Sequence, residues 1–144
     1  MTQVDFYIAP GSEFSHCLTV ACRVAEKAWR KNHHVYIHTA DAAAMQTVDD
    51  LLWSFRPNSF VPHRHEHSEQ AAPENAPDVL IACSGTPFDH HDVLINLTDQ
   101  TPDFFARFTR IAEIVAGDES SRARSRERYK YYRQRGFPLE VHNL

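Results

Sequence analysis

The chain has 144 residues, of which 42% are hydrophobic and 24% are charged, and its formal net charge is −4 at pH 7. This length suits one domain with a core of its own, and the ordinary apolar content excludes a disordered chain. No apolar run approaches the ~20 residues needed to cross a bilayer, and the opening MTQVDFYIAP lacks the features of a signal peptide. The three cysteines have no metal-type spacing, so we expect free thiols in a cytoplasmic protein.

The first half of the chain alternates between strand and helix patterns. A strand at Val4–Ala9 precedes a helix with apolar positions from Phe14 to Trp29, and a strand at Val35–Thr39 precedes a helix from Asp41 to about Trp53. Ser12 is a candidate cap for the first helix, and Asp41 opens the second. Strands that alternate with helices predict a parallel sheet with helices packed against it.

The second half continues this alternation after a long irregular region. Its predicted elements are an aromatic segment at Ser54–Pro62, an exposed polar loop at His63–Asp78, strands at Val79–Cys83 and Val93–Thr98, a helical stretch beginning at Thr101–Arg107, a final strand at Arg110–Ala116 and a helix at about 119–135. We therefore predict one α/β domain over residues 1–144, with a mostly parallel central sheet flanked by helices.

The glycine content argues against a nucleotide site in this fold. The chain has only four glycines, and the first strand–helix turn, APGSEF, contains one of them. A dinucleotide fingerprint needs several glycines there so that the backbone can approach the pyrophosphate, and no Walker A pattern is present. Glu13, at the start of the helix, would also repel phosphate.

The basic C-terminal helix is the most informative feature of the chain. Seven of the fifteen Lys and Arg residues lie between Arg122 and Arg135, against the single acid Glu127. This stretch therefore carries +6, and the remainder carries −10. Asp118 or Ser120 could cap the helix, and Gly136 stands where a C′ glycine ends one. Such a concentration of one charge is typical either of a site for an anionic partner or of a solvated helical face, and the residues alone leave both open.

The spacing of these residues places a basic stripe along one side of the helix. Its members, which we call the basic stripe, are Arg122, Arg126, Tyr129, Lys130 and Arg133. Arginine side chains bind carboxylates or phosphates through two parallel hydrogen bonds, and tyrosine offers a flat apolar surface. Two ligands fit, a nucleic-acid strand or an acidic peptide tail. The compact patch on an acidic body favours the peptide, because single-stranded DNA calls for a longer groove.

Other candidate chemistry is weaker. His63, His65 and His67 alternate and could bind a metal ion, but the segment has no periodicity to hold it rigid, so we expect a solvated loop. Cys83 lacks the arginine of a phosphatase loop and is interpreted as the buried end of a strand. The apolar cluster around Trp53 and Phe60 is either an exposed interface or a self-buried loop. We expect no active site, no cofactor and no metal.

Several segments resemble the chi subunit of bacterial DNA polymerase III holoenzyme. They are RERYKYYRQRGFPL at Arg126–Leu139, LLWSFRPNSFVPH at Leu51–His63, the opening DFYIA and the strand DVLINL. Their order covers essentially the whole chain. The resemblance implies a Rossmann-like fold without nucleotide activity, and a non-catalytic adaptor of the clamp loader.

The resemblance also implies two partners. Chi proteins bind the acidic C-terminal tail of single-stranded-DNA-binding protein, and they bind the psi subunit, which links them to the clamp loader; contact with DNA is then indirect. The tail site carries over onto the basic stripe, with Val115 and Gly136 framing a hydrophobic pocket. The psi-facing surface carries over onto Phe60, Val61 and Pro62, with Trp53 nearby. The alternative is a module that binds single-stranded nucleic acid directly through the basic helix.

Overall fold

The computed structural model describes residues 1–55, 61–66, 76–85 and 90–144. Its strands are β1 (Gln3–Ile8), β2 (Val35–His38), β3 (His63–His65), β4 (Val79–Ala82), β5 (Val93–Asn96), β6 (Arg110–Val115) and β7 (Leu139–Asn143). The helices are α1 (Phe14–Arg30), α2 (Ala42–Leu52) and α3 (Glu119–Gln134), and one 3-10 turn covers Phe105–Arg107. The predicted α/β class is confirmed.

These strands form one sheet in the order β3-β4-β2-β5-β6-β1-β7, and every described pair is parallel. The middle strands β4 and β5 are buried at every position, because helices or loops cover both faces of the sheet. Helices α1 and α2 pack on one face, and α3 packs on the other with the 3-10 turn. Within the described residues, no helix is both long and apolar enough to span a membrane.

Helix α3 begins and ends at the predicted signals. The Asp118 carboxylate accepts a hydrogen bond from the Ser121 backbone N–H at 3.0 Å. At the other end, Gly136 has φ of +81° and donates to the Arg133 carbonyl at 3.0 Å, while Phe137 donates to the Tyr132 carbonyl at 3.2 Å. These two bonds form a Schellman motif, which satisfies carbonyls that the helix leaves open. Chain direction therefore reverses sharply after α3.

The caps of the other helices differ from each other. Asp41 caps α2 as predicted, since its carboxylate accepts from the Ala44 N–H at 2.8 Å. For α1 the N-cap position is Glu13, with no side-chain capping bond, so the predicted cap at Ser12 is wrong. Phe14 is also 47% exposed rather than part of the core face, because it lies on the first turn at the edge of the sheet.

Two strands lie where no strand was predicted. The segment His63–Asp78 is not all exposed loop, because His63 and His65 belong to β3, which pairs with β4 at the sheet edge, and Asp78 is buried. His67 lies outside the described residues. The basic helix is likewise not the last element, since β7 follows it and pairs with Val4–Ile8 of β1. Both are edge strands whose partners lie elsewhere in the sequence, so their stability comes from pairing rather than from an apolar run.

Two further boundaries are corrected. The helical stretch expected from Thr101 is only the 3-10 turn at Phe105–Arg107, whose Phe105 is buried against α3. Strand β4 ends at Ala82, and Cys83 is only partly buried. By contrast Cys17 and Cys22 are buried core residues of α1 with free thiols, as predicted.

Candidate functional site

The basic stripe lies on the solvent side of α3. At 100° per residue its five members occupy an arc of about 100°, and they extend about 16 Å along the helix. Arg122, Arg126, Lys130 and Arg133 are exposed, whereas Tyr129 is partly buried against the sheet. Tyr129 packs on Phe6 of β1 with ring centroids 5.7 Å apart. The stripe therefore borders the apolar surface of the sheet along its tyrosine.

Next to the stripe is a cavity of about 160 Å³, which we call the α3 cavity. Its walls come from three elements: Phe6 and Ile8 of β1, Val141 of β7, and Arg122, Ser125, Arg126 and Tyr129 of α3. Phe6 and Ile8 are buried and form the floor, while Val141 is 49% exposed. An apolar cavity with two arginines at its rim can take one apolar side chain beside a carboxylate.

The rim arginines have local partners. Arg122 donates from Nε to the Gly117 carbonyl at 3.1 Å. Arg126 forms an ion pair with Glu119, in which the arginine side chain is 58% exposed and the glutamate 80% exposed. Exposed ion pairs of this kind contribute about 0–1 kcal/mol, so another carboxylate can displace Glu119 at little cost.

Three other cations, two in α3 and one at its C-cap, do not belong to the stripe. Arg128 is buried, lies 3.5 Å from Glu113 and donates to the Asp99 carbonyl at 2.9 Å. Arg124 lies 3.5 Å from the Asp99 carboxylate. Arg135 stacks over the Tyr131 ring, with its guanidinium carbon 3.7 Å from the ring centroid. Hence only part of the positive charge of α3 faces the α3 cavity.

A buried polar cluster holds α3 on the sheet. The Glu113 carboxyl of β6 accepts hydrogen bonds from Tyr132 Oη and from Asn96 Nδ2, each at 2.7 Å. Burial raises the pKa of Glu113, and the nearby Arg128 with these hydrogen bonds offsets only part of that rise. Burial, together with the negative Glu113, also raises the pKa of Tyr132. These contacts fix the rotation of α3 about its own axis, and therefore determine which side of the helix carries the exposed basic stripe.

The predicted frame of the pocket differs from the walls of the α3 cavity. Val115 is buried at the end of β6 and does not line this cavity, and Gly136 lies beyond the last turn of α3 in open surroundings. The walls of the α3 cavity include Phe6, Ile8 and Val141 from the sheet. The strand pattern of β1 could have suggested the first two, but nothing local suggested Val141, since β7 was not predicted.

The predicted psi-facing residues are placed differently from one another. Trp53 follows α2 and is 59% exposed, and its ring meets that of His63 with centroids 4.7 Å apart. Val61 is 1% exposed and belongs to the core between α2 and the sheet. Pro62 is partly buried, and Phe60 lies outside the described residues. Of the three members that the structure describes, Trp53 and Pro62 therefore offer surface to a partner.

The carboxyl edge of the sheet contains a larger cavity of about 690 Å³, bordered by the ends of β2, β4 and β5. This is the usual ligand position in open parallel sheets. Its described lining includes Asp99 and Asp103 but no Lys or Arg, a composition that does not suit a phosphate group. The basic side chains of α3 lie instead over one face of the sheet, beside the α3 cavity.

The parallel sheet with helices on both faces defines a Rossmann-like domain, and helix α3 adds the basic stripe and the α3 cavity. Residues 1–140 match the family model "DNA polymerase III chi subunit, HolC". The chain belongs to this family of DNA polymerase III subunits and so has a role in DNA replication.

Curated relatives cover most of the chain. The DNA polymerase III subunit chi of Pseudomonas aeruginosa is 42% identical over 144 residues, which are 100% of this chain and 98% of the relative. Its counterpart in Haemophilus influenzae is 34% identical over 125 residues, covering 87% and 85%. The Escherichia coli subunit is 32% identical over 123 residues, covering 85% and 82%.

Solved structures support the fold class alone. T4 UvsW matches with a TM-score of 0.68 at 8% identity, covering 99% of this chain and 41% of that one. Domain 2 of the DEAD-box helicase Mss116p, solved bound to an RNA duplex, matches with a TM-score of 0.64 at 11% identity, covering 100% and 64%. The chain thus spans less than two thirds of either structure, and the shared feature is the Rossmann-like sheet.

Proposed function

We propose that this protein is a non-catalytic adaptor that binds the acidic C-terminal tail of single-stranded-DNA-binding protein and joins it to the clamp loader through the psi subunit. The observation that carries the tail assignment is the α3 cavity, which places an apolar pocket next to Arg122 and Arg126. Acidic residues of the tail lie along the basic stripe, and its last side chain enters the cavity.

The size of the cavity suits a single side chain. Its volume of about 160 Å³ is close to that of a cavity known to accept benzene, about 150 Å³. An aromatic terminal residue would stack near Tyr129 and cover Val141. Its free carboxylate would then lie beside the rim arginines, which form strong charge-assisted hydrogen bonds.

The charge distribution supports a peptide over naked DNA. The basic stripe is about 16 Å long, and the −10 charge of the remaining chain repels a long phosphate backbone. A contact of this size gives micromolar affinity, about −8 kcal/mol, and weakens with salt. Several tails on one coated strand would raise the overall strength of attachment through avidity.

The test is a fluorescence-anisotropy titration with a labelled acidic peptide that ends in phenylalanine. An amidated version of this peptide and oligo-dT are titrated in parallel. We expect micromolar binding that amidation weakens, and little binding of oligo-dT. Arg126→Ala should weaken peptide binding by about 1–3 kcal/mol, because it removes a charge-assisted hydrogen bond.

A matched arginine on the other face of the sheet provides the control. Arg23 of α1 is exposed, so Arg23→Ala changes the net charge equally and should leave the peptide affinity unchanged. If both variants weaken binding alike, the effect is general charge rather than a site. Clear oligo-dT binding without peptide binding would support the direct nucleic-acid module instead.

The psi assignment rests on the exposed indole of Trp53, beside the partly buried Pro62. Tryptophan is enriched among interface residues that dominate binding. Trp53→Ala should therefore weaken psi binding by more than about 1 kcal/mol while leaving the tail affinity intact. Phe60→Ala should do the same.

Surface plasmon resonance with immobilised psi measures this effect. Arg126→Ala should bind psi normally, because α3 and α2 lie on opposite faces of the sheet. Loss of both activities in the Trp53 variant would point to unfolding or to one shared site. Unchanged psi binding would remove Trp53 from the interface.

A further inference from the structure

A partly buried histidine–aspartate cluster lies at the amino edge of the sheet, near Pro62 of the proposed psi surface, since Val79, the residue after Asp78, donates to the Pro62 carbonyl at 2.9 Å. His34 immediately precedes β2, Asp78 immediately precedes β4, and His90 lies three residues before β5. These three strands are neighbours in the sheet, in the order β4-β2-β5. Residues distant in sequence thus converge on one point, because parallel strands bring their amino ends to the same edge.

The side chains of the cluster point their donor atoms at each other. His90 Nε2 lies 2.9 Å from Asp78 Oδ1, and His34 Nδ1 lies 3.8 Å from the same oxygen. All three ligand atoms lie within 4.8 Å of one another. We propose that His34, Asp78 and His90 bind a divalent transition-metal ion of the zinc class, with solvent completing the coordination.

The spacing agrees with tetrahedral coordination. Zinc bonds to histidine nitrogen and carboxylate oxygen of about 2.0–2.1 Å place neighbouring ligand atoms about 3.3 Å apart. The two measured separations lie on either side of this value. Small side-chain rotations are therefore enough to enclose an ion.

Of the three ligand atoms, His34 Nδ1 is the one without a hydrogen bond. Asp78 Oδ1 and His90 Nε2 bond to each other, so the ion would replace that bond, with the His90 proton on Nδ1. Asp78 Oδ1 already interacts with His90, and Asp78 Oδ2 accepts from Arg64 Nε at 2.8 Å. His34 Nδ1 is buried and has no hydrogen-bond partner, although the side chain as a whole is 41% exposed. A metal ion would use this nitrogen, and the exposed side of the ring gives water access to the fourth position.

Hydrogen bonds from neighbouring residues hold the ligands in place, as is usual around metal ions in proteins. Arg64 orients the Asp78 carboxylate, and the Asp92 carboxylate accepts from the His34 backbone N–H at 2.7 Å. The charges of Arg64, Asp78 and Asp92 sum to −1, which favours a cation. The other cluster of this type among the described residues, Asp5 with Glu140 and His142, offers a single nitrogen and is less suited to zinc.

The experiment is a Zn²⁺ titration of the metal-free protein against a chromophoric chelator, with the visible absorption of bound Co²⁺ as a report on tetrahedral geometry. Each of the two histidine ligands has a neighbouring exposed histidine as a matched control: His33 for His34, and His91 for His90. We expect His34→Ala and His90→Gln to weaken Zn²⁺ binding at least about tenfold. His33→Ala and His91→Gln should bind as the parent does.

Thermal unfolding gives an independent measurement. Because the site joins three strands, Zn²⁺ should raise the unfolding temperature of the parent and of both controls, but not that of His34→Ala. The His34 ring makes no hydrogen bond through Nδ1, so this variant should fold even if His90→Gln does not. Equal Zn²⁺ affinity in His34→Ala and His33→Ala would overturn the proposal and assign binding to other histidines.

Discussion

Val141 offers a direct test of the α3 cavity, because it is the wall residue supplied by the edge strand β7. Full burial of a valine side chain is worth about 1.5–3 kcal/mol. Val141 is 49% exposed, so a ligand that covers it gains roughly half of that value, about 0.7–1.5 kcal/mol. Val141→Ala should therefore raise the dissociation constant of the phenylalanine-ended peptide about three- to twelve-fold.

A double-mutant cycle separates this contact from other effects. The assay is the anisotropy titration, run with two acidic peptides that end in phenylalanine or in alanine. The alanine-ended peptide cannot fill the cavity, so its affinity should be the same for the parent and for Val141→Ala. Urea unfolding checks that the variant keeps its stability, as expected for a half-exposed residue on an edge strand.

The result that would refute this reasoning is equal weakening of both peptides. Val141 would then act on the backbone of the tail or on the folding of β7 rather than on the terminal side chain. If neither peptide is affected, the terminal side chain binds outside the α3 cavity.

Three further predictions concern the elements that hold α3. Tyr132→Phe should lower the free energy of unfolding by about 1–3 kcal/mol, since the buried Glu113 carboxyl loses a donor, whereas Tyr131→Phe should change it little; urea titration measures both. The pKa of Glu113 is raised in the folded state, so the native protein holds a proton that the unfolded chain has lost. The free energy of unfolding should therefore fall as pH rises above 4.5, the usual pKa of a glutamate side chain. Glu113→Gln has no such proton to lose, so its free energy of unfolding should depend less on pH. Gly136→Ala should cost about 1 kcal/mol because φ is +81° there, and an accompanying loss of peptide affinity would place Gly136 in the site.

The parts of the fold that the sequence predicted are those with a local signal. Strands β4 and β5 are continuous apolar runs because both faces of the sheet are covered. Helices α2 and α3 begin at aspartate caps, and α3 ends at a glycine. Each of these features is encoded within a few neighbouring residues.

The edge strands lacked such a signal. Strand β7, LEVHN, is mostly exposed, and its hydrogen-bond partner β1 lies at the other end of the chain. Strand β3 has only three residues, all partly buried and polar. Pairing with a distant strand stabilises both, and a local pattern contains no information about that pairing.

The candidate site likewise has one part that the local sequence predicts and another that depends on distant residues. The basic stripe follows from residue spacing, because the four exposed cations and Tyr129 belong to one helix. The α3 cavity does not, because its floor comes from β1 and one wall from β7. The cluster of His34, Asp78 and His90 was also missed, since its members are brought together only by the order of the strands.

The α3 cavity is lined partly by core residues and partly by exposed residues, and this difference has an evolutionary consequence. Phe6 belongs both to the floor of the cavity and to the hydrophobic core, so a substitution there changes stability and recognition together. Val141 and Arg126 are largely exposed, so they can vary with little effect on folding. Adaptation to a partner whose sequence drifts between species should therefore accumulate at these outer positions, while Phe6 remains constrained.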